Sequence, residues 1–592
     1  MKNLLEEISS YMKDAFVKAG YDEDLGRVTV SNRPDLCEYQ CNGAMAGAKR
    51  YHKAPMMIAT DVATALEGSK VFARAEAVAP GFLNLDLNND FLTEYVAQMS
   101  QADHFGIDLP EPTAMVVDYG GPNIAKPLHV GHLRSAVIGE SIKRILRYMG
   151  NNVIGDIHMG DWGLQMGLVI YELSLRQPNL PYFDENFEGE YPEEAPFTVR
   201  DLEEIYPTAS GKSKEDEDYK AHAMEATFKL QSGVRGYRAL WNHIINVSVS
   251  DMKRNYNRLL VSFDLWNGES SVQDIIPGMV QDMKDGGYAY LSDGALVVDV
   301  KEETDTKEMP PCMILKSDGA SLYNTTDLAT IKQRKADFDP SKIIYLTDKR
   351  QELYFEQVFR CAKKTGLVTD STKLVHIGFG TVNGADGKPY KTRQGGVPKL
   401  EELIDEIEQA MLVKIKENAK TKNEDLTEEE AYDRARKVGL AAIKYGDLSN
   451  QAAKDYIFDV ERFTSFEGDT GPYILYTCVR INSILRKYAE AGGDIAKAKI
   501  LAPVNASHKA LMKAVAGFNA EIMSAYEDCA PHRICAYIYE LSNAFNSFYH
   551  ENHILTEEDE SLKGSFLALL ELVGRILETC TDLLGFEIPE RM

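Results

Sequence analysis

Gly121-Pro122-Asn123-Ile124-Ala125-Lys126-Pro127-Leu128-His129-Val130-Gly131-His132-Leu133-Arg134-Ser135 sets two histidines around a glycine where an apolar strand turns into a helix. Upstream, Ala114-Met115-Val116-Val117-Asp118-Tyr119 reads as a short buried strand closed by Gly120 and Gly121. Downstream, Val137, Ile138, Ile142, Ile145, Leu146 and Met149 form one helical face over 133–149. Arg134, Lys143, Arg144 and Arg147 fall mostly off that face, and Gly150 is the stop. Such a strand–loop–helix unit aims backbone N–H groups and a positive helix dipole at whatever sits above the loop. Imidazoles that donate to phosphate oxygens make it a nucleotide site, and Gly131 leaves room for a flat base. Two histidines satisfied at a helix cap would also fit the bare tetrapeptide. The strand, the glycines, Lys126 and the basic helix favour the nucleotide.

The 592 residues, 44% hydrophobic and 26% charged, suit a multidomain globular protein of about three to five domains. No apolar run reaches the ~18 residues a membrane span needs. Met1-Lys2-Asn3-Leu4-Leu5-Glu6-Glu7 starts an acidic amphipathic helix, not a secretory or transit leader, so a cytoplasmic protein is expected. Its eight cysteines are scattered, with no CxxC and no zinc-finger spacing to His. Reduced structural thiols follow, and no protein-bound metal is expected. A net charge of −26 argues on its face against nucleic acid, unless positive charge is gathered on one surface. Composition alone points to a metabolic enzyme.

Working outward, residues 1–107 read as an α+β module, with helices at 3–19 and near 55–67, a strand at 72–78, and a turn into a second strand at 80–85. Residues 108–400 alternate strand and helix signals, as a doubly wound α/β domain does, with an insertion near 183–275. Within it, 183–220 is rich in Glu, Asp, Pro, Gly and Ser and reads as a surface segment with little core; a helix follows from Tyr237 to Leu260. Helices are expected at 399–418, 427–446, 470–491, 506–527, 531–550 and 560–584, divided into a connecting region at 401–455 and a terminal domain at 456–592.

The 121–135 stretch resembles the HIGH motif of class I aminoacyl-tRNA synthetases, in the form seen in arginyl-tRNA synthetases. Collinear likenesses run along nearly the whole chain. They include Cys37-Glu38-Tyr39-Gln40-Cys41-Asn42, Pro80-Gly81-Phe82-Leu83-Asn84, Gly160-Asp161-Trp162-Gly163, Gly268-Glu269-Ser270 and the terminal Pro589-Glu590-Arg591-Met592. The resemblance implies a Rossmann-like doubly wound parallel-sheet catalytic domain, an N-terminal α+β domain that grips the tRNA elbow, and a C-terminal all-α anticodon-binding bundle. For the N-terminal part a stabilising extra domain is the competing reading. The implied activity is arginine–tRNA ligation, with arginine, Mg-ATP and tRNA(Arg) as partners, no zinc, no membrane, and a monomeric chain. The same likeness implies that arginine activation depends on bound tRNA.

For the arginine pocket the candidates are Asp118, Gly121, Pro122, Asn123, His132, Tyr323, Asp327 and Gln351. A guanidinium wants an ionised carboxylate in a planar pair, with a ring or hydroxyl to complete the cradle. Asp327 supplies the first and Tyr323 the second, four residues apart and on one face if the turn is helical. An ordinary helix start with a capping Asp is the plainer reading of that pair. The resemblance adds Gln351, and it gives Asn123 and His132 the two ends of the amino acid. It also marks a departure, because the family commonly has Arg where Thr326 stands.

The Gly-rich segment 379–396 carries Lys388, Lys391 and Arg393 and occupies the place of the KMSKS loop, with Gln394 near the position of its second lysine. A cationic loop is needed because charge builds on the triphosphate as the carboxylate attacks the α-phosphorus. Lys126 is read as supplying the missing charge, which makes His129, His132, Lys126, Lys391 and Arg393 the catalytic set. His129, Gly131, His132, Lys388, Lys391 and Arg393 form the ATP set. A solvated basic hairpin is the alternative for the loop. Asp161 and Gln165 are expected to support the site from behind. Aromatic residues of the C-terminal helices resemble base-reading groups, although such stripes are more often core. Two rival functions remain at this level. Another nucleotidyltransferase would not need the helical C-terminal third, and an inactive tRNA-binding paralogue would not need intact pocket residues.

Overall fold

Five parallel strands form the central sheet: β1 (Ala114–Asp118), β2 (Asn152–Met159), β3 (Leu265–Gly268), β4 (Lys342–Asp348) and β5 (Lys373–Phe379), in the order β5-β4-β1-β2-β3. The order reverses between β1 and β4, and in such sheets ligands bind beyond the strand C-termini at that switch. β1 is apolar from Ala114 to Val117 and buried from Met115 onward, as a strand covered on both faces is. Helix α1 (Val130–Tyr148) links β1 to β2. Four helices stand between β2 and β3: α2 (Leu164–Arg176), α3 (Val199–Glu215), α4 (Glu217–Gln231) and α5 (Arg235–Arg258). α6 (Tyr323–Phe338) leads into β4, and α7 (Glu352–Lys364) joins β4 to β5. α8 (Leu400–Lys422) and α9 (Glu428–Leu448) follow. Val116, Ile343 and Tyr345 of the sheet pack against Leu328 and Ile331 of α6 and Phe355 and Val358 of α7.

The computed structural model describes residues 1–390 and 397–592. Its chain forms two compact units, 111–465 with 583–587, and 1–110 with 466–582 and 588–592. In the second of these, strands Val28–Val30, Tyr39–Cys41, Phe82–Leu87 and Phe72–Val78 make an antiparallel sheet. The N-terminal module and the C-terminal helices share this unit. Glu38 pairs with Lys509 at 3.1 Å and Lys513 at 3.2 Å, and Asn519 Nδ2 donates to the Phe105 carbonyl at 3.0 Å.

Two expectations are corrected. The 183–220 stretch is not coreless, because α3 and α4 bury Ala209, Tyr219 and Ala223 against Leu168 of α2. Its helical period was hidden by the acidic residues on the outer faces and by Pro207 inside α3. The 506–527 helix is two, Ala506–Ala516 and Phe518–Asp528, parted at Gly517. On α1, off its apolar face, Arg134 and Lys143 are each only 1% exposed. Arg134 pairs with Asp447 of α9 at 3.2 Å, and Lys143 pairs with Glu140 at 2.9 Å. Gly139 permits this close packing, because a Cβ there would lie 2.3 Å from the Tyr119 ring.

Candidate active site

His129 is the N-cap of α1. Its Nδ1 accepts the Gly131 N–H at 3.0 Å, while His132 Nδ1 accepts the His129 N–H at 3.0 Å. Each ring therefore has its unprotonated nitrogen turned to the backbone, so a neutral ring carries its proton on Nε2. The ring centroids are 3.9 Å apart. Burial, the neighbouring His129 and Lys126 push the His132 pKa down to about 3, and burial with Lys126 lowers that of His129. Both rings are neutral donors near pH 7. Gly131 has a nearer reason than room for a base, because a Cβ there would lie 2.7 Å from the His129 ring.

The loop before α1 is fixed from several sides. Asn123 bridges to Gly160, Ile124 N donates to the Gly160 carbonyl at 3.0 Å, and Gly160 N donates to the Pro122 carbonyl at 3.1 Å. Gln165 donates to the Ile124 carbonyl, as a supporting residue should. At Gly121, φ 25°, a Cβ would meet the His158 carbonyl oxygen at 3.8 Å, an ordinary contact. Lys126 lies over the Tyr206 ring, 4.5 Å from its centroid.

The segment that resembles KMSKS is tethered at both ends to this same element. Arg134 Nη1 donates to the Gly380 carbonyl at 2.9 Å and to the Lys454 carbonyl at 2.8 Å. On the return, Val130 N donates to the Pro398 carbonyl at 3.1 Å and Leu400 N to the Leu128 carbonyl at 2.9 Å. Exposed Lys388 follows a turn in which Gly384 N donates to the Lys388 carbonyl at 2.8 Å. Lys391 and Arg393 lie outside the described residues.

At the proposed amino-acid end, α6 begins at Tyr323, which is 71% exposed, while Asp327 one turn on is half-buried. Asp327 accepts a hydrogen bond from Tyr354, a residue the sequence reading missed although it stands three positions after Gln351. Gln351 is exposed and precedes α7. Burial raises the Asp327 pKa, and Glu269, at the end of β3, is pushed up to about 7 by burial and by Asp161 and Asp327. Three acids thus crowd one place. Asp161 is occupied by Ser270, accepting its N–H at 2.9 Å and its hydroxyl at 2.6 Å. Glu269 was quoted from the sequence only as part of a Gly-Glu-Ser match; an acid directly after a strand was the available signal.

Asp118, expected in the pocket, already has a cation. Arg334 of α6 binds Asp118 and Asp156, each at 2.6 Å, in a buried triad that ties α6 to β1 and β2. Among the described residues no three His, Cys, Asp or Glu side chains gather as metal ligands.

The family description "tRNA synthetases class I (R), catalytic domain" matches residues 95–460. "Arginyl tRNA synthetase N terminal domain" matches 2–87, and "DALR anticodon binding domain" matches 474–592. The arginine–tRNA ligase of Agathobacter rectalis is 62% identical and that of Alkaliphilus oremlandii 53%, each over 100% of both chains. The chain belongs to the arginyl-tRNA synthetases. Crystalline arginyl-tRNA synthetase from Plasmodium falciparum has the same fold, with a TM-score of 0.83 at 25% identity over 100% of both chains.

In an arginyl-tRNA synthetase the C-terminal helices read the anticodon, and here one surface of them combines stacking and polar groups. Tyr473 on the helix Gly471–Glu490 donates to Asn543 at 2.7 Å and accepts from Asn546 at 2.8 Å, both on Pro531–Glu551. Arg480 donates to Asn546 at 2.8 Å and lies over the Tyr476 and Tyr549 rings at 4.7 and 5.1 Å. No helix among the described residues is long and apolar enough to cross a membrane.

Proposed function

We propose that the chain joins arginine to tRNA(Arg) in two steps. The arginine carboxylate attacks the α-phosphorus of Mg-ATP, the bond to the bridging oxygen breaks, and pyrophosphate leaves. A ribose hydroxyl at the tRNA 3′ end then attacks the arginyl carbonyl, and AMP departs. Asp327 and Glu269 hold the guanidinium, with Tyr323 closing over it and Tyr354 fixing the Asp327 carboxyl; Asn123 and Gln351 serve the remaining polar groups, alongside Gly121, Pro122 and His132. Asp118 acts through the triad with Arg334, holding β1 in place.

His129 and His132 donate from Nε2 to oxygens of the five-coordinate α-phosphorus. Lys126 on one side and Lys388, Lys391 and Arg393 on the other neutralise the departing pyrophosphate. Positioning and electrostatics suffice, with no covalent intermediate on the protein. A pocket that leaves two half-buried carboxylates without a counter-charge when the guanidinium is missing rejects other amino acids without an editing domain. Residues 1–107 would grip the tRNA elbow and the C-terminal domain the anticodon.

The observation that carries this reading is Asp327 standing one helical turn from exposed Tyr323, bonded by Tyr354 and near enough to Glu269 to raise its pKa. Charging of total tRNA with each labelled amino acid tests it. Arginine alone should be incorporated, and Asp327→Ala should abolish that incorporation. Equal charging by Asp327→Ala and wild type would refute the pocket. Arginine-dependent pyrophosphate exchange without tRNA would refute the requirement for tRNA.

A further inference from the structure

The insertion between β2 and β3 meets the loop before the histidines at two successive residues. Ala125 has a left-handed φ of 62°, which a residue with a side chain seldom adopts without support. That support comes from α5, where buried Ser248 Oγ accepts the Ala125 N–H at 3.1 Å. At the next residue, the Lys126 ammonium rests on the face of Tyr206 of α3, 4.5 Å from the ring centroid. Tyr206 is itself seated, packing on the buried cluster of Leu168, Ala209, Tyr219 and Ala223. One turn earlier on the same face of α3, Glu203 pairs at 2.7 Å with Lys399, where the 380–398 segment returns beside His129.

A lysine carries its charge on a flexible four-carbon stem, so an ammonium left free must be ordered during the step it assists. A carboxylate would hold it in place but cancel the charge that the leaving phosphates need. An aromatic face attracts the cation through the ring quadrupole and leaves its charge intact. We propose that Tyr206 is a positioning residue for Lys126, its ring holding the ammonium uncancelled beside His129 and His132. The catalytic sheet thereby borrows from its insertion the placement of a cation that the 387–396 loop lacks. This rests on the role given to Lys126 above.

Tyr206→Leu and Tyr206→Phe, each with and without Lys126→Ala in the full-length chain, test it by pyrophosphate exchange with arginine and tRNA(Arg) present. Tyr206→Leu is expected to lower kcat about tenfold while the KM for arginine and the melting midpoint stay at wild-type values. Tyr206→Phe keeps the ring face and should remain within about twofold of wild type. In the Lys126→Ala background, Tyr206→Leu should have no further effect. An undiminished effect in that background, a Tyr206→Phe as slow as Tyr206→Leu, or a Tyr206→Leu at wild-type rate overturns the proposal. A Lys126→Ala enzyme at full rate would instead remove the role of Lys126, and this inference with it.

Discussion

At the nucleotide end of the site the two imidazoles are neutral, satisfied by backbone N–H groups and locked in one tautomer. At the amino-acid end Asp327 and Glu269 are held as reluctant anions, short of positive charge. The contrast follows the order in which charge arrives. Negative charge on phosphorus develops only during the step, so fixed dipoles meet it at little cost in reorganisation. The guanidinium brings its charge with it, so the protein can hold anions in a poorly solvated place and let the substrate relieve them. On the proposed assignment the amino-acid end selects, and the nucleotide end accelerates.

Removing the selecting charge should do the most damage. Asp327→Ala should lower kcat/KM for arginine by about 10³-fold or more, since a buried cation would lose its partner. A loss confined to kcat would break the contrast. His132→Ala should cost about 10²- to 10³-fold in kcat with a small change in the KM for arginine, the size expected for one lost donor to a developing oxyanion.

Glu269→Gln should raise the KM for arginine about 10- to 100-fold and also alter the pH profile. With its pKa near 7, Glu269 gains a proton as pH falls through 7, so arginine kcat/KM should fall on the acid side in wild type and flatten in the variant. His132, titrating near 3, should leave no mark between pH 5 and 8. The smallest effect concerns stability without ligand. A carboxyl whose folded pKa lies above its unfolded value destabilises the fold once ionised. The melting midpoint should therefore rise by about 1–2 °C as pH drops from 8 to 6, and Glu269→Gln should abolish that rise.

Much of the site was legible because it is local. The strand, the loop and the capped helix at 114–149 lie within one stretch, and Tyr323 and Asp327 within one helical turn, so spacing carries their geometry. What escaped was set by partners far away in the chain. Asp118 looked like a free pocket anion because Arg334, 216 residues on, is invisible from its neighbourhood. The burial of Arg134 had no local signal, because its partner Asp447 lies 313 residues away. The 183–220 stretch looked coreless because its acids line the outer faces of two helices whose inner faces meet α2.

By itself the sequence determined the family and the parallel-sheet class, since these depend on residue type and short spacing. The tertiary structure alone decided which charges are free to act. Solvation and pairing depend on what packs against a side chain, and in this chain the decisive neighbours of Asp118, Arg134 and Lys126 come from distant helices.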